Sequence, residues 1–343
     1  MAKIRDVAAL AGVSPSTVSI VFSGSGPVSE QTRRKVLAAA KKLGYQPDHF
    51  AGALRTGRNR SIGFCVSHTT NPTVAAIIQG ASLHAHQAGY ALLVSAMADD
   101  PDLERAHLEV MTRQRVAAVI TYATTDDPSP YLRVQHAGIP VIFIGSRPAG
   151  ITADVLMADY RQGAYLATRH LLETGRRRIG LLIAGAATRM ASTARVEGYR
   201  AAYADAGLAA DEQLIQTCPS KGDTTFAATD DLLSRGADAI LASSTIVTVG
   251  VLSHLMERGL RVPADVAFVA TGAIEWAFLA SPALTNIEFD GERIGRRAVD
   301  LALERMGHGF ASLPPREVLV PVRLAIRESS LGADVGYLSP TVR

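Results

Sequence analysis

Near the start of the chain, apolar residues recur at helical spacing, at Ile4, Val7, Ala8 and Ala11. Gly12-Val13-Ser14 then interrupts the pattern. Gly12 suits a left-handed helix end, Ser14 a helix N-cap, and Pro15 a first helical position. Val18 and Val21 resume the apolar stripe on a second short run. Two short helices joined by a tight glycine-containing turn predict a helix-turn-helix, whose second helix enters the DNA major groove. A helical hairpin without a nucleic-acid role is the alternative, and the short polar turn and small residues of the second helix favour DNA.

A third helix is predicted from Ser29 as N-cap, through apolar Val36, Leu37, Ala40 and Leu43, to a stop at Gly44. The segment 48–57 is too short and too rich in glycine for an autonomous helix, and reads as a linker. From residue 60 the period changes. Buried strands are predicted at 62–67, 91–96, 117–122, 141–144, 178–183, 239–242, 266–270 and 318–324. Amphipathic helices are predicted between them at 74–88, 102–113, 164–174, 196–206, 224–234, 247–257 and 292–306. This alternation implies an α/β fold with parallel sheets covered on both faces. The segment is too long for one such sheet, so two are expected with a cleft between them. Ligands in open α/β sheets bind beyond the carboxyl ends of the strands.

Composition narrows the class. The chain has 343 residues, 48% hydrophobic and 20% charged, which implies two or three domains with substantial cores. No apolar run is long enough to span a bilayer, and Ala2-Lys3-Ile4-Arg5-Asp6 shows no signal-peptide pattern, so a cytoplasmic protein is expected. Cys65 and Cys218 fit no metal or redox spacing and are expected as reduced core thiols. The net charge of +3 is unevenly distributed. Residues 1–60 carry Lys3, Arg5, Arg33, Arg34, Lys35, Lys41, Lys42, Arg55, Arg58 and Arg60 against Asp6, Glu30 and Asp48, a net +7, leaving −4 for the remainder. A basic headpiece on a mildly acidic body is the footprint of a DNA-binding module attached to a regulatory domain.

The motifs occur in a specific order: Asp6-Val7-Ala8, Gly12-Val13-Ser14, Thr17-Val18-Ser19, Val28-Ser29-Glu30-Gln31-Thr32-Arg33, Leu43-Gly44-Tyr45-Gln46-Pro47 and Leu54-Arg55-Thr56-Gly57. The body adds Asn71-Pro72, His170-Leu171-Leu172, Arg195-Val196-Glu197-Gly198-Tyr199-Arg200, Arg258-Gly259-Leu260-Arg261-Val262-Pro263 and Ser281-Pro282-Ala283-Leu284-Thr285. Over nearly its whole length the chain resembles the lactose-repressor/galactose-repressor (LacI/GalR) family of bacterial transcription regulators. The resemblance implies a helix-turn-helix headpiece at 1–46, a hinge helix or linker at 47–59, and a periplasmic-binding-protein-like core at 60–330, with 331–343 as a tail. Within the core it implies one subdomain of about 60–160 plus 289–318 and another of about 161–288 plus 319–330. It also implies a homodimer on palindromic double-stranded DNA, usually a repressor, tuned by a small-molecule effector and needing no cofactor or metal.

On this basis the residues expected at DNA are Pro15, Ser16, Thr17, Ser19, Ile20, Ser29, Arg33, Lys35, Ala51, Leu54 and Arg55. Ile20 stands where relatives commonly carry arginine; it either offers an apolar contact, for example to a thymine methyl, or simply packs. Leu54 matches the hinge leucine that wedges into a minor-groove step. The residues expected at the effector are Asn71, Thr73, Val74, Arg195, Thr224, Ser244, Gly272 and Trp276. Arg195 matches the family's ligand-contacting arginine and suits a hydroxyl or carboxylate partner. Several usual polar and aromatic partners of a sugar are replaced, by Thr73, Val74, Thr224, Ser244 and Gly272. Trp276 is expected as a replacement wall or as core. An effector that is not a typical sugar, but smaller, more apolar, or acidic and held by Arg195, is one reading; no effector, or control by a protein partner, is another. No G-x-S-x-G, P-loop, HExxH or Cys/His metal set argues for an enzyme.

Overall fold

The structure is a computed structural model that describes residues 2–23, 26–45, 60–185, 189–218, 224–308 and 313–331. It divides into two compact units, Met1–Arg60 and Ser61–Arg343. The first contains α1 (Ile4–Ala11), α2 (Pro15–Ser23) and α3 (Glu30–Leu43). α1 and α2 are bent by 102° at the turn. Gly12 turns the chain at φ 65°, ψ 38°, a left-handed conformation that costs most other residues strain. The Ser14 hydroxyl accepts the Thr17 N–H at 3.1 Å and so caps α2. Val7, Ala8, Val18, Val21, Val36, Ala39 and Ala40 form a small buried core. The rings of Phe22 and Tyr45 meet at its edge, 5.8 Å between centroids.

The second unit holds two six-stranded sheets. The first is built from β1 (Ser61–Val66), β2 (Ala91–Ala96), β3 (Ala118–Thr121), β4 (Val141–Ile144), β5 (Asp154–Ala158) and β11 (Glu317–Val320). Its order is β11-β5-β4-β3-β1-β2, and every pairing is parallel. α4 (Pro72–Gln87), α5 (Pro101–Arg113), α6 (Ser129–His136) and α11 (Gly291–His308) accompany it. The second sheet comprises β6 (Ile179–Ala184), β7 (Ile215–Cys218), β8 (Ala239–Ala242), β9 (Ala267–Thr271), β10 (Thr285–Phe289) and β12 (Val322–Ala325). Its order is β12-β10-β9-β8-β6-β7, and only edge strand β12 runs antiparallel. α7 (Tyr160–Glu173), α8 (Met190–Asp205), α9 (Thr224–Ser234) and α10 (Thr245–Glu257) accompany it. Separate apolar clusters include Ile62, Ile120 and Leu156; Met111, Val119 and Phe143; Phe268, Ala270 and Leu255; and Leu181, Tyr199 and Val269.

The main differences from the sequence reading have physical causes. The expected strand 318–324 is two strands in different sheets, because Pro321 lacks the N–H a continuous ladder needs. β5 begins with a buried aspartate, β7 is a short edge strand with polar residues, and β10 carries Thr, Asn and Glu. β7 and β10 lack the apolar run that marked the other strands, whereas β5 has one at Val155-Leu156-Met157-Ala158 that the sequence reading passed over. The chain passes between the sheets at Asp159, Asp290 and Pro321. Among the described residues no single helix is long and apolar enough to cross a membrane. Cys65 and Cys218 are buried and unpaired, and burial pushes the Cys65 thiol up to about 12.

Candidate nucleic-acid surface and effector cleft

The first half of α2 carries five of the eleven residues expected at DNA. Pro15 and Ser16 are exposed, and Thr17, Ser19 and Ile20 are half-buried. The Ser14 hydroxyl lies 2.7 Å from that of Ser16 and 2.9 Å from that of Thr17, which lines up hydroxyl groups at the helix N-terminus. Ile20 packs beside Gly26, where an added β-carbon would lie 3.4 Å from its Cγ2. Ser29 caps α3 by accepting the Thr32 N–H at 3.2 Å. Arg33 sits one turn on, 3.9 Å from Glu30, and Lys35 is exposed. Lys3, Arg5, Arg34, Lys41 and Lys42 are also exposed, so the excess positive charge is at the surface. Ala51, Leu54 and Arg55 lie outside the described residues.

In the larger unit, the start of α4 meets the loop after β9. The Asn71 side chain accepts the Thr73 N–H at 3.0 Å and caps α4. The Thr73 hydroxyl accepts the Ala273 N–H at 3.0 Å, so a side chain of the first half bonds backbone of the second. Gly272 adopts φ +134°, and a β-carbon there would lie 2.6 Å from the Thr245 hydroxyl and 3.0 Å from that of Thr73. Neighbouring hydroxyls therefore fill the space a carboxylate side chain would occupy. Ser244 caps α10 through the Val247 N–H at 3.4 Å. Thr245 Oγ1 and Asn286 Oδ1 are buried without a hydrogen-bond partner among the described residues. The Asn286 amide donates to the Gly272 carbonyl at 2.9 Å, which holds both groups beside this seam.

Arg195 sits on α8, its guanidinium 3.8 Å from the centroid of the Tyr160 ring. It donates to the carbonyls of Ala191 at 3.0 Å and Ser243 at 3.2 Å. These partners are neutral, and burial lowers its pKa while the adjacent Tyr160 opposes that shift. A void of about 10 Å³, room for about one water, lies among Arg195, Tyr160, Ser243, Thr271 and Ile287. Arg189, which the sequence reading missed, stands at the N-cap position of the same helix, with its side chain turned elsewhere. Its guanidinium reaches into the first half and donates to the carbonyls of Ala123 and, at 2.6 Å, Thr124. The available signal was an arginine immediately before the helix that carries Arg195.

The structure corrects Val74, and it gives Trp276 the second of its two expected places, at a core. Val74 is 3% exposed and packs with Ile77, Ile62 and Phe64 in the first core, because its place on α4 faces the sheet. Trp276 packs on the cluster of Phe268 and Leu255 and lines a separate groove of about 560 Å³ with Leu252, Met256, Leu260 and Pro282. None of those residues borders the Arg195 void. Thr224 opens α9 with an exposed side chain.

Residues 3–48 match the family model for bacterial regulatory proteins of the lacI family, and residues 59–328 match that for periplasmic binding proteins and the sugar binding domain of the LacI family. The chain is 31% identical over 311 residues to an HTH-type transcriptional repressor PurR of Vibrio atlanticus, covering 89% of this chain and 92% of the relative. It is 32% identical over 312 residues to a PurR of Haemophilus influenzae, covering 90% and 92%. A lac repressor dimer bound to operator and the anti-inducer ONPF superposes with a TM-score of 0.80 at 26% identity, covering 96% of this chain and 99% of that one. A transcriptional regulator CelR–cellobiose complex superposes with a TM-score of 0.70 at 31% identity, covering 96% and 100%.

Proposed function

The chain belongs to the LacI family of bacterial regulatory proteins, and from that premise we propose how its residues do a repressor's work. It is a DNA-binding transcriptional repressor, modulated by a small-molecule effector, that binds operator DNA as a homodimer; it is not an enzyme. A regulator acting on bacterial DNA works in the cytoplasm. We assign residues 1–46 to the headpiece, 47–59 to the hinge and 60–330 to the effector-binding core. The break after Arg60 and the two sheets support that division.

Base recognition is assigned to Pro15, Ser16, Thr17, Ser19 and Ile20, which begin the second helix of the motif. Ser29, Arg33 and Lys35 are assigned to the phosphates, and Ala51, Leu54 and Arg55 to the hinge contact with the minor groove. Exposed Leu83, Leu93 and Val94, beside and on edge strand β2, and exposed Met256, Phe278 and Leu279 in the second half are assigned to the dimer contact. An apolar sheet edge left open to water invites pairing with another chain.

Arg195 carries the effector assignment: a largely enclosed guanidinium whose polar partners are carbonyls and a tyrosine ring. Among the described residues no carboxylate meets this guanidinium; an enclosed cation left so is costly, and an anionic ligand relieves that cost. The effector therefore bears a carboxylate or phosphate, with Asn71, Thr73, Ser244 and the Gly272 backbone beside it. Thermal-shift screening of organic acids, phosphate esters and neutral hexoses tests this, because a ligand that binds only the native state raises its stability. Stabilisation by anionic compounds, lost in Arg195→Ala, supports it; micromolar binding of a plain hexose, indifferent to Arg195→Ala, defeats it. For DNA, affinity for one genomic palindrome that falls steeply with salt is expected. Sequence-blind binding to every fragment would defeat the operator assignment.

A further inference from the structure

Arg189 and Glu104 face opposite ends of a single peptide group. Arg189 is carried by the half containing the second sheet, and Glu104, on α5, by the half containing the first. The Arg189 guanidinium donates to the carbonyl of Ala123, and the N–H of that same Ala123–Thr124 peptide donates to Glu104 Oε2 at 3.2 Å. This peptide is trans, so its C=O and N–H point in opposite directions. A cation thus faces the negative end of the peptide dipole and an anion its positive end. Thr124 reinforces the arrangement: its hydroxyl also donates to Glu104, and its carbonyl also accepts from Arg189. The Tyr131 hydroxyl donates to the other Glu104 oxygen. Glu104 is wholly buried, and its hydrogen-bond donors among the described residues are the neutral groups of Thr124 and Tyr131.

We propose that Glu104 and Arg189 form a peptide-bridged latch between the two α/β halves, which favours the closed cleft and sets the balance the effector shifts. Charged groups at both ends polarise the intervening peptide and strengthen both hydrogen bonds. The inference rests on reading the cleft as the regulated element, but it holds for any effector. Glu104 acts here as a positioning residue for Arg189.

Two backbone N–H groups of the second half report closure, since each is bonded to a side chain of the first. Ala273 donates to Thr73 at 3.0 Å and Ala191 to Ser146 at 3.3 Å. Hydrogen exchange of the full-length chain, without effector or operator, reads them directly. Glu104→Gln is expected to speed exchange at Ala273 about five-fold, the worth of one net hydrogen bond. Arg189→Gln is expected to do the same, and the double substitution to add nothing further. Exchange in strands β3 and β8 stays slow. A role of Glu104 confined to its own half would speed exchange near Thr124 and Tyr131 and leave Ala273 unchanged, which overturns the latch; so do effects that multiply in the double variant. Arg189→Lys retains the cation at a half-exposed position and keeps the measurement decisive if Glu104→Gln does not fold. It is expected to exchange more slowly than Arg189→Gln, and equal rates overturn the role of charge. Failure of these tests leaves the repressor reading standing, because neither ligand nor DNA enters them.

Discussion

Arg305 and Arg195 are enclosed arginines in the two halves of the same core, and their partners differ in kind. Arg305, on α11, is 5% exposed and forks onto Asp154, itself 1% exposed, with its Nε 2.8 Å from Oδ2. It also donates to the carbonyls of Leu313 at 2.5 Å and Pro314 at 2.7 Å. Arg316 supplies a further backbone N–H at 2.9 Å and a guanidinium at 3.2 Å to the same carboxylate. Arg195 has carbonyls and a tyrosine face where Arg305 has a carboxylate. The first cation is neutralised from within and ties β5, α11 and the start of β11 together. The second keeps its charge available, as a group does when its counterion arrives with a ligand.

The largest expected effect breaks the neutralised pair. Asp154→Ala leaves Arg305 buried without its counterion and should lower unfolding free energy by about 3–5 kcal/mol. Urea unfolding measures it, and a loss under about 1 kcal/mol would put the two arginines in one class.

The same pair sets an acid limit. Burial pushes the Asp154 carboxyl up, but hydrogen bonds from Arg305 and Arg316, with the charge of Arg305, outweigh it and leave the pKa below the usual range. A depressed carboxylate stabilises the fold fully above its unfolded value of about 3.9 and loses that contribution as pH falls through the lower folded value. Unfolding free energy measured below pH about 4 should therefore fall more steeply in the native chain than in Asp154→Asn. Parallel curves would contradict this.

A local effect in the headpiece comes next. Ser14→Ala removes the cap on α2 and should cost about 1 kcal/mol of headpiece stability, with weaker operator binding. Thermal melting of the headpiece signal and a DNA titration check it.

The smallest effect sharpens the contrast. Arg195→Met keeps length and packing on Tyr160 while removing the cation. It should leave stability unchanged or raise it by up to about 1 kcal/mol, while abolishing the response to anionic ligands. Destabilisation as large as that of Asp154→Ala would make Arg195 a structural arginine like Arg305.

The sequence by itself determined the headpiece. Its helices, the turn at Gly12, the caps at Ser14 and Ser29, and the stripe of Val7, Val18, Val21 and Val36 follow from interactions among near neighbours, which local periodicity records. It also determined that strands and helices alternate, although the helix expected at 196–206 begins at Met190 and so takes in Arg195. Only the tertiary structure decided that Pro321 divides one apolar run between two sheets, that Val74 faces a core, and that Trp276 belongs to another groove. It also decided that Arg189 reaches across to Ala123 and Thr124, and that Asp154 takes the charge of Arg305 from the far end of the chain. The reason is physical. A charge or an aromatic ring is read from composition, but its partner is selected by packing among residues far apart in sequence, and no periodicity along the chain encodes that pairing.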